Sequence, residues 1–204
     1  IGPCIDTIYS DGYVYAVSSD GTLNIFEENA DGTLVKVSSL NKIGNLRQIE
    51  ISGAFVYITA REDGVFIIDI SNPKKPHIAC HWDSIEFATG ITISGKLAAV
   101  CNRILGVELL DISVPTQPRH ISLLRAGEVQ SVYIANGLLF TGSWGEQEVV
   151  IYDIHNAQEP KFLGRARLDG RGDGICVYNG LLYAATGHHS SKVAKSLAKP
   201  QDVG

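Results

Sequence analysis

The sequence predicts an all-β fold, a β-propeller built from four-stranded blades about 42 residues long, with four blades and half of a fifth in its 204 residues. Three observations predict it. An apolar run ending in Asp recurs at a fixed interval, turn glycines recur at the same interval, and the residues between them fall into short strand-like runs. No helical period spans those runs.

The first marker is clearest in three segments. They are Gly64-Val-Phe-Ile-Ile-Asp69-Ile-Ser-Asn-Pro73-Lys-Lys-Pro76, Gly106-Val-Glu-Leu-Leu-Asp111-Ile-Ser-Val-Pro115-Thr-Gln-Pro118 and Glu148-Val-Val-Ile-Tyr-Asp153-Ile-His-Asn-Ala-Gln-Glu-Pro160. Asp69, Asp111 and Asp153 are 42 residues apart, as are Pro76, Pro118 and Pro160. The second marker is the series Gly12, Gly53, Gly95, Gly137 and Gly180, with intervals of 41, 42, 42 and 43. Two unrelated motifs on one period define tandem units at 1–44, 45–87, 88–128, 129–171 and an incomplete 172–204.

The strands follow unit by unit. In the first, Gly21-Thr-Leu-Asn-Ile-Phe26 matches the third strand, and Asp31-Gly32 reads as a tight hairpin in place of the proline turn. In the third, Gly90–Ser94, Leu97–Cys101, Val107–Ile112 and His120–Leu124 are four strands bounded by Gly, Pro, Asn and Asp. The Asp-Ile-Ser ends suit a side chain that accepts a backbone N–H in the turn after a strand. The prolines stop the strand because they cannot donate to a ladder. The fifth unit opens with Gly174-Ile-Cys-Val-Tyr-Asn-Gly180-Leu-Leu-Tyr and then changes character at Gly187-His188-His189. Half a blade is a poor cap, so the remaining blades are expected from a continuation of the same polypeptide, seven being one total.

Composition narrows the function classes. Seventeen basic and 22 acidic side chains leave a formal charge of −5 and no basic run, which argues against a nucleic-acid partner. No apolar stretch approaches the roughly eighteen residues of a membrane span. Cys4, Cys80, Cys101 and Cys176 lack the spacing of a disulfide framework or zinc site, and Cys101 and Cys176 read as small buried hydrophobes. The sequence has no methionine, so the chain reads as a piece of a longer and exported protein.

With its Gly-x-x-x-x-Asp-Ile-Ser-x-Pro-x-x-Pro segments laid out, the chain resembles the LVIVD-repeat family, named for an apolar strand of the kind seen at Phe66–Asp69 and Val107–Asp111. The resemblance is clearest from Leu46 to Leu163. It implies a bacterial or archaeal β-propeller that is periplasmic, secreted or on the cell surface, and it implies no defined reaction.

Candidate site residues lie where the period fails. In a propeller, the residues ahead of each inner strand and the loops between second and third strands share one face. Those positions hold Arg47, Gln48, Gln130, Arg171 and Asp173, and Arg61, Arg103 and Trp144. Arginines suit a carboxylated ligand, and Trp144 suits a sugar ring. A carbohydrate or protein ligand is therefore expected. His188 and His189 are the candidate acid–base residues of an alternative reading, a polysaccharide lyase or glycoside-processing hydrolase. The same two histidines are the candidate ligands for a divalent metal, with Glu62 or Asp173 as a third; no cofactor is otherwise implied. Another alternative is a structural repeat module within a larger surface protein. Arg171-Gly172-Asp173 spells an adhesion tripeptide but falls where an inner strand begins, and it reads as turn chemistry.

Overall fold

The computed structural model describes residues 2–187. The predicted repeat folds as a row of antiparallel sheets, each one a meander of strands in chain order. The first sheet contains β1 (Cys4–Ser10), β2 (Tyr13–Ser18), β3 (Thr22–Glu28) and β4 (Leu34–Leu40). The second contains β5 (Ile49–Ser52), β6 (Phe55–Thr59), β7 (Val65–Asp69) and β8 (His77–Trp82). The third contains β9 (Ala88–Ser94), β10 (Leu97–Asn102), β11 (Gly106–Asp111) and β12 (Arg119–Leu124), and a single 3-10 turn at Arg103–Leu105 joins its middle strands. The fourth contains β13 (Val129–Ala135), β14 (Leu138–Ser143), β15 (Glu148–Asp153) and β16 (Lys161–Arg167). The fifth has β17 (Arg171–Tyr178) and β18 (Leu181–Gly187). The inner strands β1, β5, β9, β13 and β17 pack side by side in that order, and the row is not closed.

The middle strands of the second, third and fourth sheets are apolar on both faces because each of those sheets lies between two others. Strand alternation sends neighbouring side chains to opposite faces. On β6, Val56 and Ile58 join Val17, Leu23 and Ile25 of the first sheet. Tyr57 between them joins Ile91, Ala98 and Val100 of the third. On β10, Ala98 and Val100 face the second sheet, while Ala99 and Cys101 face Val132, Leu139 and Val150 of the fourth. Each buried Val, Leu or Ile contributes about 1.5–3 kcal/mol, so the interfaces between sheets hold the row together. Cys176 departs from expectation. It is exposed on β17, because among the described residues no further sheet covers that face of the two-stranded sheet.

The recurring Asp does what its position suggested. Asp69 Oδ1 accepts the Ser71 N–H at 2.8 Å and the Ser71 hydroxyl at 2.6 Å. Asp111 Oδ1 accepts the Ser113 N–H at 2.8 Å, and Asp153 Oδ1 accepts the His155 N–H at 2.9 Å. The Asp31-Gly32 hairpin also forms, with Gly32 at φ +81° and the Asp31 carboxylate accepting the Thr33 N–H at 3.0 Å.

The approach of the fourth and fifth sheets requires glycine. A Cβ on Gly172 would lie 2.9 Å from Gly142 Cα, and one on Gly142 would lie 2.8 Å from the Gly172 carbonyl oxygen. Neither position has room for a side chain.

Candidate functional site

In an antiparallel meander, the start of each inner strand and the loop between second and third strands emerge at the same end of the sheet. That topology brings residues from all five sheets around one cleft of about 630 Å³. Of the residues singled out in the sequence, Arg47, Gln48 and Arg61 line it from the second sheet, and Arg103 from the third. Gln130 and Trp144 line it from the fourth, and Asp173 from the fifth. Arg171 is not a lining residue. Its guanidinium lies over the Trp144 ring, 3.4 Å from the centroid. Glu62 is also off the cleft, where its carboxylate accepts from Asn45 Nδ2 at 3.4 Å. His188 and His189 lie outside the described residues.

Side-chain links between successive inner strands stiffen the cleft floor. Asp6 Oδ2 accepts the Ile49 N–H at 3.0 Å, and Gln48 Oε1 accepts the Ile91 N–H at 2.9 Å. Thr89 Oγ1 donates to the Val129 carbonyl at 3.5 Å, and Ser131 Oγ donates to the Gly172 carbonyl at 3.2 Å. The carboxamide oxygen of Gln48 is thus engaged in the scaffold. Asp6 is a wall residue that sequence reading missed. It opens the series of links in chain order, but no local motif marks it.

The four arginines differ in what they meet. Arg103 Nε pairs with Glu128 Oε1 at 3.7 Å, and its guanidinium lies 5.9 Å from the Phe87 ring centroid. Glu128 and Phe87 are further wall residues that sequence reading missed. Arg171 is stacked on Trp144, so one face of that indole already holds a cation. Arg47 and Arg61 belong to no ion pair among the described residues. Burial pushes the Arg47 pKa below its ordinary value, and the neighbouring Arg61 charge pushes it the same way.

Arg61 is also conformationally set. Its φ is +47°, in the left-handed region that a branched or long side chain seldom occupies. Its N–H donates to the Ala88 carbonyl at 3.0 Å and its carbonyl accepts the Ala88 N–H at 3.0 Å, a two-bond bridge to the third sheet. Its side-chain Nε is buried without a hydrogen-bond partner. Buried polar groups are nearly always satisfied, so this nitrogen is an exception among the described residues.

Among the described residues, no group of three or more His, Cys, Asp or Glu side chains is placed to hold a metal ion. No helix among them is long and apolar enough to cross a membrane.

Residues 43–83 match the family model of the LVIVD repeat. The match takes in the whole second sheet, β5 to β8, and the Arg47 and Arg61 positions. The resemblance read from the Asp-Ile-Ser-x-Pro segments therefore stands for this repeat, and the propeller-like architecture agrees with it. A search of curated proteins returns no match to the chain.

Proposed function

We propose that this LVIVD-repeat β-propeller is a binding module of an exported or cell-surface protein, and that it takes a carbohydrate ligand in the cleft at its loop end. The observation that carries the reading is convergence. Polar side chains from all five sheets, far apart in sequence, line one concavity on a rigid scaffold. A cleft of about 630 Å³ has the dimensions of a small-molecule or short-oligosaccharide site. A concave, polar wall favours such a ligand over a flat protein surface, which would need a far larger contact area. Planar donors and acceptors from arginine, glutamine and threonine suit a hydroxyl-rich molecule. The exported setting follows the family resemblance.

The test is a glycan panel, neutral and acidic, titrated calorimetrically against the full chain. Saturable binding that weakens on Gln130→Ala supports the reading. Absence of binding across the panel overturns it. Breakdown of a bound glycan, followed by mass spectrometry, would move the reading from binding to turnover.

A further inference from the structure

We infer that the Arg47–Arg61 pair is an anion subsite that receives the carboxylate of an acidic sugar. This rests on the carbohydrate reading of the cleft and adds the class of sugar and the residues that select it.

Four arginines stand in or beside the cleft, and among the described residues two of them, Arg47 and Arg61, have no answering group. Arg103 has Glu128, and Arg171 has the indole of Trp144. Of the carboxylates on the wall, Asp6 is turned to the backbone, accepting the N–H groups of Thr7 at 2.9 Å and Ile49 at 3.0 Å. It does not neutralise Arg47. Two partly buried arginines thus line one cleft, near enough for the Arg61 charge to act on Arg47, and neither has an ion-pair partner among the described residues. Like charges brought together away from water oppose each other, and a folded chain has no packing reason to keep such a pair. A ligand carboxylate supplies the missing term, since it can accept from one guanidinium through both oxygens.

The pair is also preorganised. The backbone of Arg47 is held by its N–H to the Thr59 carbonyl at 2.8 Å. Arg61 is held by its paired bonds to Ala88 and by its left-handed backbone. The buried Nε of Arg61 has no acceptor among the described residues, so the protein itself does not satisfy this guanidinium. Burial first and the neighbouring Arg61 charge second lower the Arg47 pKa, and a bound anion would offset the second of these.

The pair also revises the role of the aromatic residue. Trp144 presents at most one open face to a sugar because Arg171 covers the other. Selectivity therefore rests on charge at the Arg47–Arg61 end, with Trp144 secondary.

The experiment titrates the full chain with trigalacturonate, with its methyl ester and with a sulfated neutral oligosaccharide. The ester keeps the sugar ring and removes the charge. Tighter binding of the acid than the ester by about tenfold or more is expected, since a charge-assisted bond is the element removed. Arg47→Gln should abolish that preference. Arg61→Lys should weaken it, because lysine keeps the charge and loses the planar fork. Thermal unfolding confirms that each variant is folded, and the two variants test the subsite independently. Equal binding of acid and ester overturns the anion subsite while leaving the carbohydrate reading in place. Preference for the sulfated sugar overturns the carboxylate assignment. Absence of binding to all three overturns the subsite together with the reading beneath it.

Discussion

Ser38 Oγ donates to the Pro73 carbonyl oxygen at 2.6 Å, joining the outer strand of the first sheet to the turn of the second. Ser122 Oγ makes the matching bond to the Ala157 carbonyl at 2.6 Å, between the third sheet and the fourth. Position 80 lies 42 residues from each serine and holds cysteine, and Pro115 lies midway between Pro73 and Ala157. The sequence thus keeps the repeat position but places a weak donor there. Ser38→Ala and Ser122→Ala should each lower stability by about 1 kcal/mol, and Cys80→Ser should raise it by a similar amount. Urea unfolding midpoints measure all three; a destabilising Cys80→Ser would break the proposed equivalence.

The Asp turns make stability acid-sensitive in a defined direction. The Ser113 hydroxyl, the Ser113 N–H and Arg119 together hold the Asp111 carboxyl down at about 2. The Ser71 hydroxyl and N–H lower Asp69, and the His155 N–H and ring lower Asp153. A depressed carboxyl stabilises the folded chain only while it is ionised. That contribution is complete above the unfolded carboxylate value of about 4 and is lost as pH falls toward the folded value. Melting temperature should therefore fall between about pH 4 and pH 2. Asp111→Asn should flatten part of that fall, and an unchanged profile would exclude Asp111 from it.

Gly142 and Gly172 set how closely the fourth and fifth sheets approach. Alanine at either position forces the backbones apart and should destabilise the chain by about 1–3 kcal/mol. Because Gly172 immediately precedes Asp173 on the cleft wall, Gly172→Ala should also weaken ligand binding. Measuring unfolding and affinity on the same variant checks both effects. Alanine tolerated in both would mean that the sheets do not meet there.

Glu108 is the most deeply buried acid among the described residues, at 1% exposure. Its carboxylate accepts from His120 Nδ1 at 2.9 Å, Asn102 Nδ2 at 3.2 Å and, across the sheet boundary, Trp82 Nε1 at 3.4 Å. Glu108→Ala strands these donors and should cost about 3 kcal/mol, with Glu108→Gln milder because it retains an acceptor. Chemical unfolding of the two variants gives the comparison, and equal losses would contradict the hydrogen-bond role.

The fold was legible because its signals are local and repeated. A turn glycine, an apolar strand and an Asp that caps its own turn each act within a few residues. Stacking identical units then makes the middle strands apolar on both faces. The meeting place of the site residues was legible for the same reason, since each blade presents its loops at the same end. Pairing within the site was not. Arg103 meets Glu128, which leads into β13, and Arg171 at the start of β17 meets Trp144, so register between neighbouring sheets decides the partner. Cys176 shows the same limit, since its burial depends on what lies beside the fifth sheet and not on its apolar neighbours.

The most direct measurement is the amide-shift map of the isotope-labelled chain titrated with trigalacturonate. Binding in the cleft requires shifts at Arg47, Arg61, Gln130 and Trp144, with the Asp69, Asp111 and Asp153 turns at the opposite end unchanged. Shifts confined to those turns, or none at saturating sugar, would contradict a carbohydrate site at the loop end.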